Sequence, residues 1–147
     1  MTVTSPDADV AQLSTTLERV VTMVRRLMPS QPMSLTAVSV LRSLETSGAT
    51  RLTELATAQG VTQPAMTQLV TRLERDGYVE RGGSPHDARV VLVSLTQSGE
   101  EFLRHRREMR AAHLSDLLDR LPADDRAQIL AALPALNLLA VLGQDSV

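Results

Sequence analysis

The chain has no cysteine and no tryptophan. Without thiols it forms no disulfide, no thiolate metal site and no cysteine redox switch. Its three histidines, His86, His105 and His113, are too scattered for a structural zinc site, so no metal and no other cofactor is expected. Aromatics are nearly missing, Tyr78 and Phe102 being the only two. That scarcity disfavours a binder of single-stranded nucleic acid, which stacks bases on aromatic rings. Lysine is absent as well: all 15 basic residues are arginine, set against 17 acids. A net charge of -2 is not that of a protein coating nucleic acid with its whole surface, so any positive potential must be local. The N-terminal MTVTSPDADVAQ has neither a basic nor an apolar segment, and no run approaches the length of a membrane span; a cytoplasmic location away from membranes is expected. Enzyme machinery is missing too. There is no glycine-rich phosphate loop and no grouping of nucleophile, base and oxyanion donors, so no catalytic residue is assigned.

What is present is 147 residues, 43% apolar and 22% charged, which suits a single domain with a core and argues against wholesale disorder. From Asp9, Val10, Leu13, Leu17, Val20, Val21, Val24, Leu27 and Met28 recur at helical spacing until Pro29 and Pro32 end the pattern. So long an apolar stripe on a terminal helix needs a partner surface, and self-association is the simplest source. Ser34 is placed to cap a second helix with Leu35, Val38, Leu41 and Leu44 as its core stripe and Ser47-Gly48 as its stop. Arg51 and Leu52 are expected as a very short strand. Thr53 is then expected to cap a short helix over residues 54–59, with Leu55 and Ala56 inward and Gly60 closing it.

Residues 62–76 carry the most informative pattern. Met66, Leu69, Val70 and Leu73 form a narrow apolar seam, Pro64, Gln68, Thr71 and Arg75 project from the opposite side, and Thr67 and Arg72 flank it. These polar types are the ones that read base edges in a major groove, although a solvated amphipathic helix has the same look. Thr62 is its N-cap and Pro64 lies in its first turn. Two helices joined by Gly60-Val61-Thr62 make a helix-turn-helix in which this second helix is the recognition helix by position. After Asp76-Gly77 the period becomes alternating: a strand from Tyr78 to Glu80, a polar loop over residues 81–89, and a strand from Val90 to Leu95. Such a hairpin is either a wing or a plain connection.

Thr96 is expected to cap a long helix over residues 99–120 with Phe102, His105 or Met109, Leu114, Leu117, Leu118 and Leu121 on an intermittent apolar side. Its basic middle, Arg104, Arg106, Arg107 and Arg110, is either a phosphate-facing patch or a solvated face paired with Glu101 or Glu108. A last helix begins near Pro122 and carries Ile129, Leu130, Leu133, Leu136, Leu138, Leu139, Val141 and Leu142, with Pro134 expected to kink or break it near residues 130–133. The fold class that follows is mainly α with a small β-hairpin wing: a winged helix-turn-helix over residues 34–95, with residues 9–28 and 99–142 as dimerisation helices of one domain spanning 1–147.

Leu73-Glu74-Arg75-Asp76-Gly77-Tyr78-Val79, then Arg81, Asp87-Ala88-Arg89 and Leu95-Thr96-Gln97-Ser98-Gly99 resemble the signature of the multiple-antibiotic-resistance regulator (MarR) family. With its flanking helices the resemblance runs from about Asp9 to Leu142. It implies a homodimer on a pseudo-palindromic operator of double-stranded DNA, usually repressing transcription. It also implies recognition helices in successive major grooves and wings in the adjacent minor grooves. Matched residue by residue, Arg89 is the arginine that enters the minor groove and Asp87 the acid that orients it; a narrow groove concentrates the negative potential that favours a guanidinium. Arg81 enters the wing, and Ser84 and His86 are candidate phosphate contacts. On the recognition helix Gln68, Thr71 and Arg72 are assigned to base or phosphate contact, with Gln63, Pro64 and Thr67 near the groove. Thr62 lies at the amide end, where the helix dipole receives a phosphate. Arg75 is a further candidate, with local ion pairing as its other reading. The family commonly releases DNA when a small anionic or aromatic effector enters a cleft, and Met23, Leu27, Met33, Leu44 and Phe102 are the candidate walls. The competing class is a helical protein-interaction or scaffold module without specific DNA binding.

Overall fold

The computed structural model describes residues 6–27, 33–84 and 89–144. In chain order its elements are α1 (Pro6–Leu27), α2 (Leu35–Ser47), β1 (Thr50–Arg51), α3 (Leu52–Ala58), α4 (Gln63–Arg75), β2 (Val79–Gly83), β3 (Val91–Leu95), α5 (Gln97–Leu118), α6 (Ala123–Ala131) and α7 (Leu133–Gln144). The chain is thus mainly helical with a small antiparallel sheet, and it divides into two units, residues up to Met109 and residues from Arg110 on.

In the first unit the core is built by α2, α3, α4, the sheet and the start of α5. Val40, Leu41, Leu55, Met66, Val70 and Val93 are fully buried, with Leu44, Leu73, Val79 and Leu103 close behind. Ser34 caps α2 as expected, accepting the Ala37 N–H at 3.2 Å. Leu35 departs from the expected stripe, since it stands 64% exposed while Ala37 and Val40 are buried. A strict three-residue spacing drifts around a helix, so positions 35 and 44 lie about 180° apart. The Arg107 guanidinium ties α5 to α2 through the Glu45 carboxylate, 2.8 and 2.9 Å from its two oxygens.

The cap of α3 also differs from expectation. Arg51, not Thr53, precedes the helix, and its N–H donates to the Glu54 carboxylate at 3.3 Å. Thr53 is inside the helix, accepting the Thr57 hydroxyl at its carbonyl. The cause is the strand just before it: Thr50 and Arg51 pair with Val93 and Leu92, so the backbone stays extended until Arg51. The sheet therefore has three strands in the order β1-β3-β2, both pairings antiparallel. Between β2 and β3 the register runs from Val79 opposite Leu95 to Gly83 opposite Val91, and the Ser84 N–H still donates to the Val90 carbonyl at 2.9 Å. The wing loop is shorter than the expected 81–89 span, and Arg81 sits in the ladder opposite Val93.

The junction of α4, β2 and α5 is tightly made. Gly77 takes φ 84°, a conformation that glycine adopts without penalty, and lets the Tyr78 N–H reach back to the Leu73 carbonyl at 2.9 Å. Gly99 is needed for space instead. A Cβ there would lie 2.3 Å from the Tyr78 carbonyl oxygen and 2.7 Å from Leu95 Cδ1.

α1 begins three residues before the expected Asp9, and its Val10, Leu13, Leu17, Val20 and Val21 are exposed. In the second unit the break expected at Pro134 is present, α6 ending at Ala131 and α7 starting at Leu133. Ile129, Leu130, Leu133, Leu136, Leu138, Leu139, Val141 and Leu142 are exposed on it. One sequence expectation needs correction: the 21-residue stretch Ala123–Gly143 is long and apolar enough to cross a membrane, and none of it is buried. Single-residue inspection hid this because Asp124, Asp125 and Arg126 are confined to its first turn.

Candidate nucleic-acid interface

α3 and α4 form the helix-turn-helix. The chain leaves α3 through hydrogen bonds from the Gly60 and Val61 N–H groups to the Thr57 and Ala56 carbonyls, both 3.1 Å. It enters α4 at Thr62, whose hydroxyl accepts the Ala65 N–H at 3.4 Å. Pro64, second in the helix, has no N–H to leave unsatisfied. Met66, Val70 and Leu73 anchor the inner face, each burial contributing roughly 1.5–3 kcal/mol. The inner seam thereby supplies the apolar anchorage of α4.

The outer face consists of exposed Thr62, Gln63, Pro64, Thr67, Gln68, Thr71, Arg72 and Arg75. Two of its hydroxyls are turned back on the helix: Thr67 Oγ1 donates to the Gln63 carbonyl at 2.9 Å and Thr71 Oγ1 to the Thr67 carbonyl at 2.8 Å. Arg75 pairs locally with Asp76 at 3.1 Å while its side chain remains 73% exposed. A pair this open holds the arginine weakly, worth about 0–1 kcal/mol, so Arg75 can exchange Asp76 for another anion.

On the wing side, β2 and β3 carry the hairpin outward. Ser84 is half-buried beside the last ladder bond, and Arg89 is exposed in a turn just before β3. His86 and Asp87, the latter the expected partner of Arg89, lie outside the described residues. Arg81 points toward α4, where its guanidinium bonds the Glu74 carboxylate and the Thr71 hydroxyl, the latter at 2.9 Å. Sequence reading assigned Arg81 to the wing and gave Glu74 no role; the turn at Gly77, which folds β2 back beside the last turn of α4, brings the two together.

The arginine cluster of α5 is largely engaged. Arg104 lies 3.8 Å from Glu108, Arg107 is held by Glu45, and the Arg106 guanidinium stacks over the Phe102 ring at 5.7 Å. Burial, reinforced by the nearby Arg42 charge, lowers the Arg106 pKa. These partners favour the reading of a paired helix face over a phosphate patch.

A cavity of about 450 Å³ opens beside the C-terminal half of α4, lined by Met33, Ser34, Ala37, Leu69, Arg72, Leu73, Asp76, Tyr78 and Phe102. The Tyr78 and Phe102 rings meet there, centroids 4.9 Å apart and tilted by 49°. Of the five expected wall residues, Met33 and Phe102 line it; Leu44 is in the core, and Met23 and Leu27 are half-buried on α1 away from its walls. Arg72 and Asp76 are its charged walls, and their position was invisible in sequence because both belong to the helix read as DNA-facing. Among the described residues no cluster of histidine and carboxylate side chains is arranged to hold a metal.

Comparison with known proteins places this architecture. Residues 33–91, from α2 to the first residue of β3, match the model of the MarR family. An HTH-type transcriptional regulator of Mycobacterium leprae is 36% identical over 116 residues, 79% of this chain and 81% of its own. Among solved structures, a transcriptional regulator from Thermotoga maritima superposes with a TM-score of 0.79 at 25% identity, covering 92% of this chain and 98% of that one. The F27L mutant of MepR from S. aureus, solved bound to an oligodeoxyribonucleotide, has the same fold, with a TM-score of 0.67 at 18% identity over 90% of this chain and 96% of its own. The chain belongs to the MarR family of transcriptional regulators, a family of regulators and not of enzymes.

Proposed function

We propose that the protein is a homodimeric repressor that binds a pseudo-palindromic double-stranded DNA operator and is released from it by a small-molecule effector. The observation that carries the reading is the exposed, hydrogen-bonding face of α4, presented by a helix-turn-helix beside a projecting hairpin. α4 takes the major groove, with Gln68, Gln63 and Arg72 reading base edges or phosphates and the α4 amide end at Thr62 facing a phosphate. Arg89 takes the adjacent minor groove, oriented by Asp87, with Ser84 and His86 on flanking phosphates. The family relationship and the DNA-bound relative of the same fold support this assignment.

Self-association is supported by the exposed apolar residues of α1, α6 and α7, which form patches that a lone soluble chain does not leave in water. The charged first turn of α6 and the interruption at Ala132 favour a protein partner over a lipid one for Ala123–Gly143, in keeping with a regulator that works in the cytoplasm. The cavity beside α4 suits a small aromatic effector bearing an anionic group: Tyr78 and Phe102 offer rings, and Arg72 a guanidinium. An effector that takes Arg72 lowers DNA affinity only by the difference between its affinities for the free and bound forms.

A gel shift on the duplex immediately upstream of the protein's own coding region tests the reading. Specific retardation that weakens steeply with salt is the expected result. No retardation at any salt favours the interaction module, which the exposed helices alone also accommodate.

A further inference from the structure

Arg81 occupies a position that neither a wing nor a core residue needs. It lies in the β2 ladder opposite Val93, its side chain 27% exposed, and it spans the gap to α4. One arm of the guanidinium bonds the Glu74 carboxylate, itself 37% exposed; the other bonds Thr71 Oγ1 at 2.9 Å. Thr71 and Glu74 are three residues apart, so they share a face of α4, and a planar fork that holds both fixes the rotation of the helix as well as its distance from the strand. The Thr71 hydroxyl has one proton, and this is already given to the Thr67 carbonyl at 2.8 Å. One lone pair is taken by Arg81. Thr71 is therefore a bracket for Arg81, with no proton left for a base edge.

We propose that Arg81 is a positioning residue that locks the wing to the recognition helix through Glu74 and Thr71, so that α4 and the wing engage DNA as one rigid unit and Thr71 donates no hydrogen bond to a base. The proposal rests on the DNA-binding reading above, and it moves both Arg81 and Thr71 away from the direct DNA contacts expected from sequence. Two elements that enter neighbouring grooves must hold a fixed spacing. A strut between them serves that need at the point where β2 leaves α4.

The probe is the duplex that the wild-type protein itself enriches from a random pool. Arg81→Ala is expected to weaken binding about fivefold to tenfold, the scale of a lost charge-assisted hydrogen bond at a partly open site, while the slope of log affinity against log salt stays as in the wild type. Arg89→Ala, measured alone and with Arg81→Ala, is expected to cost less in the double variant, because a wing that is no longer held contributes less. The swap Glu74→Arg with Arg81→Glu, which reverses the charge pair and gives up the fork on Thr71, is expected to recover part of the lost affinity. A direct phosphate contact at Arg81 gives the opposite pattern: a salt slope reduced by about one, additive losses and no recovery on swapping. That pattern overturns the proposal and leaves the DNA-binding reading intact. Failure of the wild-type protein to enrich any duplex overturns the DNA-binding reading itself. Arg81→Lys guards against misfolding, since it keeps the charge but not the fork; wild-type affinity in this variant also overturns the proposal.

Discussion

The Thr96 hydroxyl donates to the Gly77 carbonyl at 2.6 Å and accepts the Gly99 N–H at 3.1 Å, so one side chain fastens the end of the recognition helix, the exit of the sheet and the start of α5. The Thr96 N–H adds a bond to the Tyr78 carbonyl at 3.1 Å. This junction explains why a leucine-threonine-x-x-glycine segment follows a hairpin here. Threonine caps the helix, and glycine lets the helix approach the strand.

Gly99→Ala tests that junction. The added methyl group meets the Tyr78 carbonyl and the Leu95 side chain, and the backbone oxygen cannot move without breaking the bond to the Thr96 N–H. A loss of about 1–3 kcal/mol in unfolding free energy, measured by urea denaturation, is expected. A change below about 0.5 kcal/mol would show that the junction relaxes more freely than its packing implies.

Arg89→Ala is expected to weaken operator binding, with a melting temperature within a degree or two of wild type, because the residue is exposed and lies outside the core. If it sits in the minor groove, the salt slope falls by about one unit as well. Unchanged binding would remove the wing from the mechanism.

Gln68→Ala tests base reading. Its amide is exposed at the centre of the outer face of α4, and a bidentate amide contact discriminates by about 1–3 kcal/mol. Affinities for a panel of singly substituted operators should lose preference at one base pair per half-site and keep it elsewhere. A uniform decline across the panel would reassign Gln68 to the backbone.

Deleting residues 128–147 removes α7 and the last part of α6, and with them most of the exposed apolar surface of the second unit. Sedimentation should then find monomer or insoluble material in place of dimer. A soluble, folded dimer after the truncation would refute the assignment of these helices to self-association.

Much of this was legible in the sequence, for identifiable reasons. α4 was readable because Met66, Val70 and Leu73 keep the helical period between a threonine cap and an Asp-Gly stop, so local and tertiary preferences agree. The break near Pro134 was readable because proline inside a continuous helix removes a backbone hydrogen bond and is accepted only in a first turn, where α7 places it. Leu35 was misplaced because spacing by threes imitates a stripe over two turns and then rotates away. β1 has two residues and no pattern of its own, so its pairing with β3 is a tertiary fact, and the cap at Arg51 follows from it. Leu103 was overlooked because the arginines around it mask a single buried position. The bridge from Arg81 to Glu74 joins positions seven apart across the turn at Gly77, and their meeting depends on how β2 folds back along α4.

β1 pairs position 50 with position 93, so the entire helix-turn-helix lies inside a loop stitched shut at its two ends. Closing so long a loop costs entropy that a two-residue ladder cannot recover alone, which means that the stitch forms only once the enclosed helices have collapsed onto the core. Opening reverses that sequence. Loss of the stitch frees the Thr50 end alone, since β3 stays paired with β2 along its whole length, so α3 should exchange its amide hydrogens more readily than the central strand.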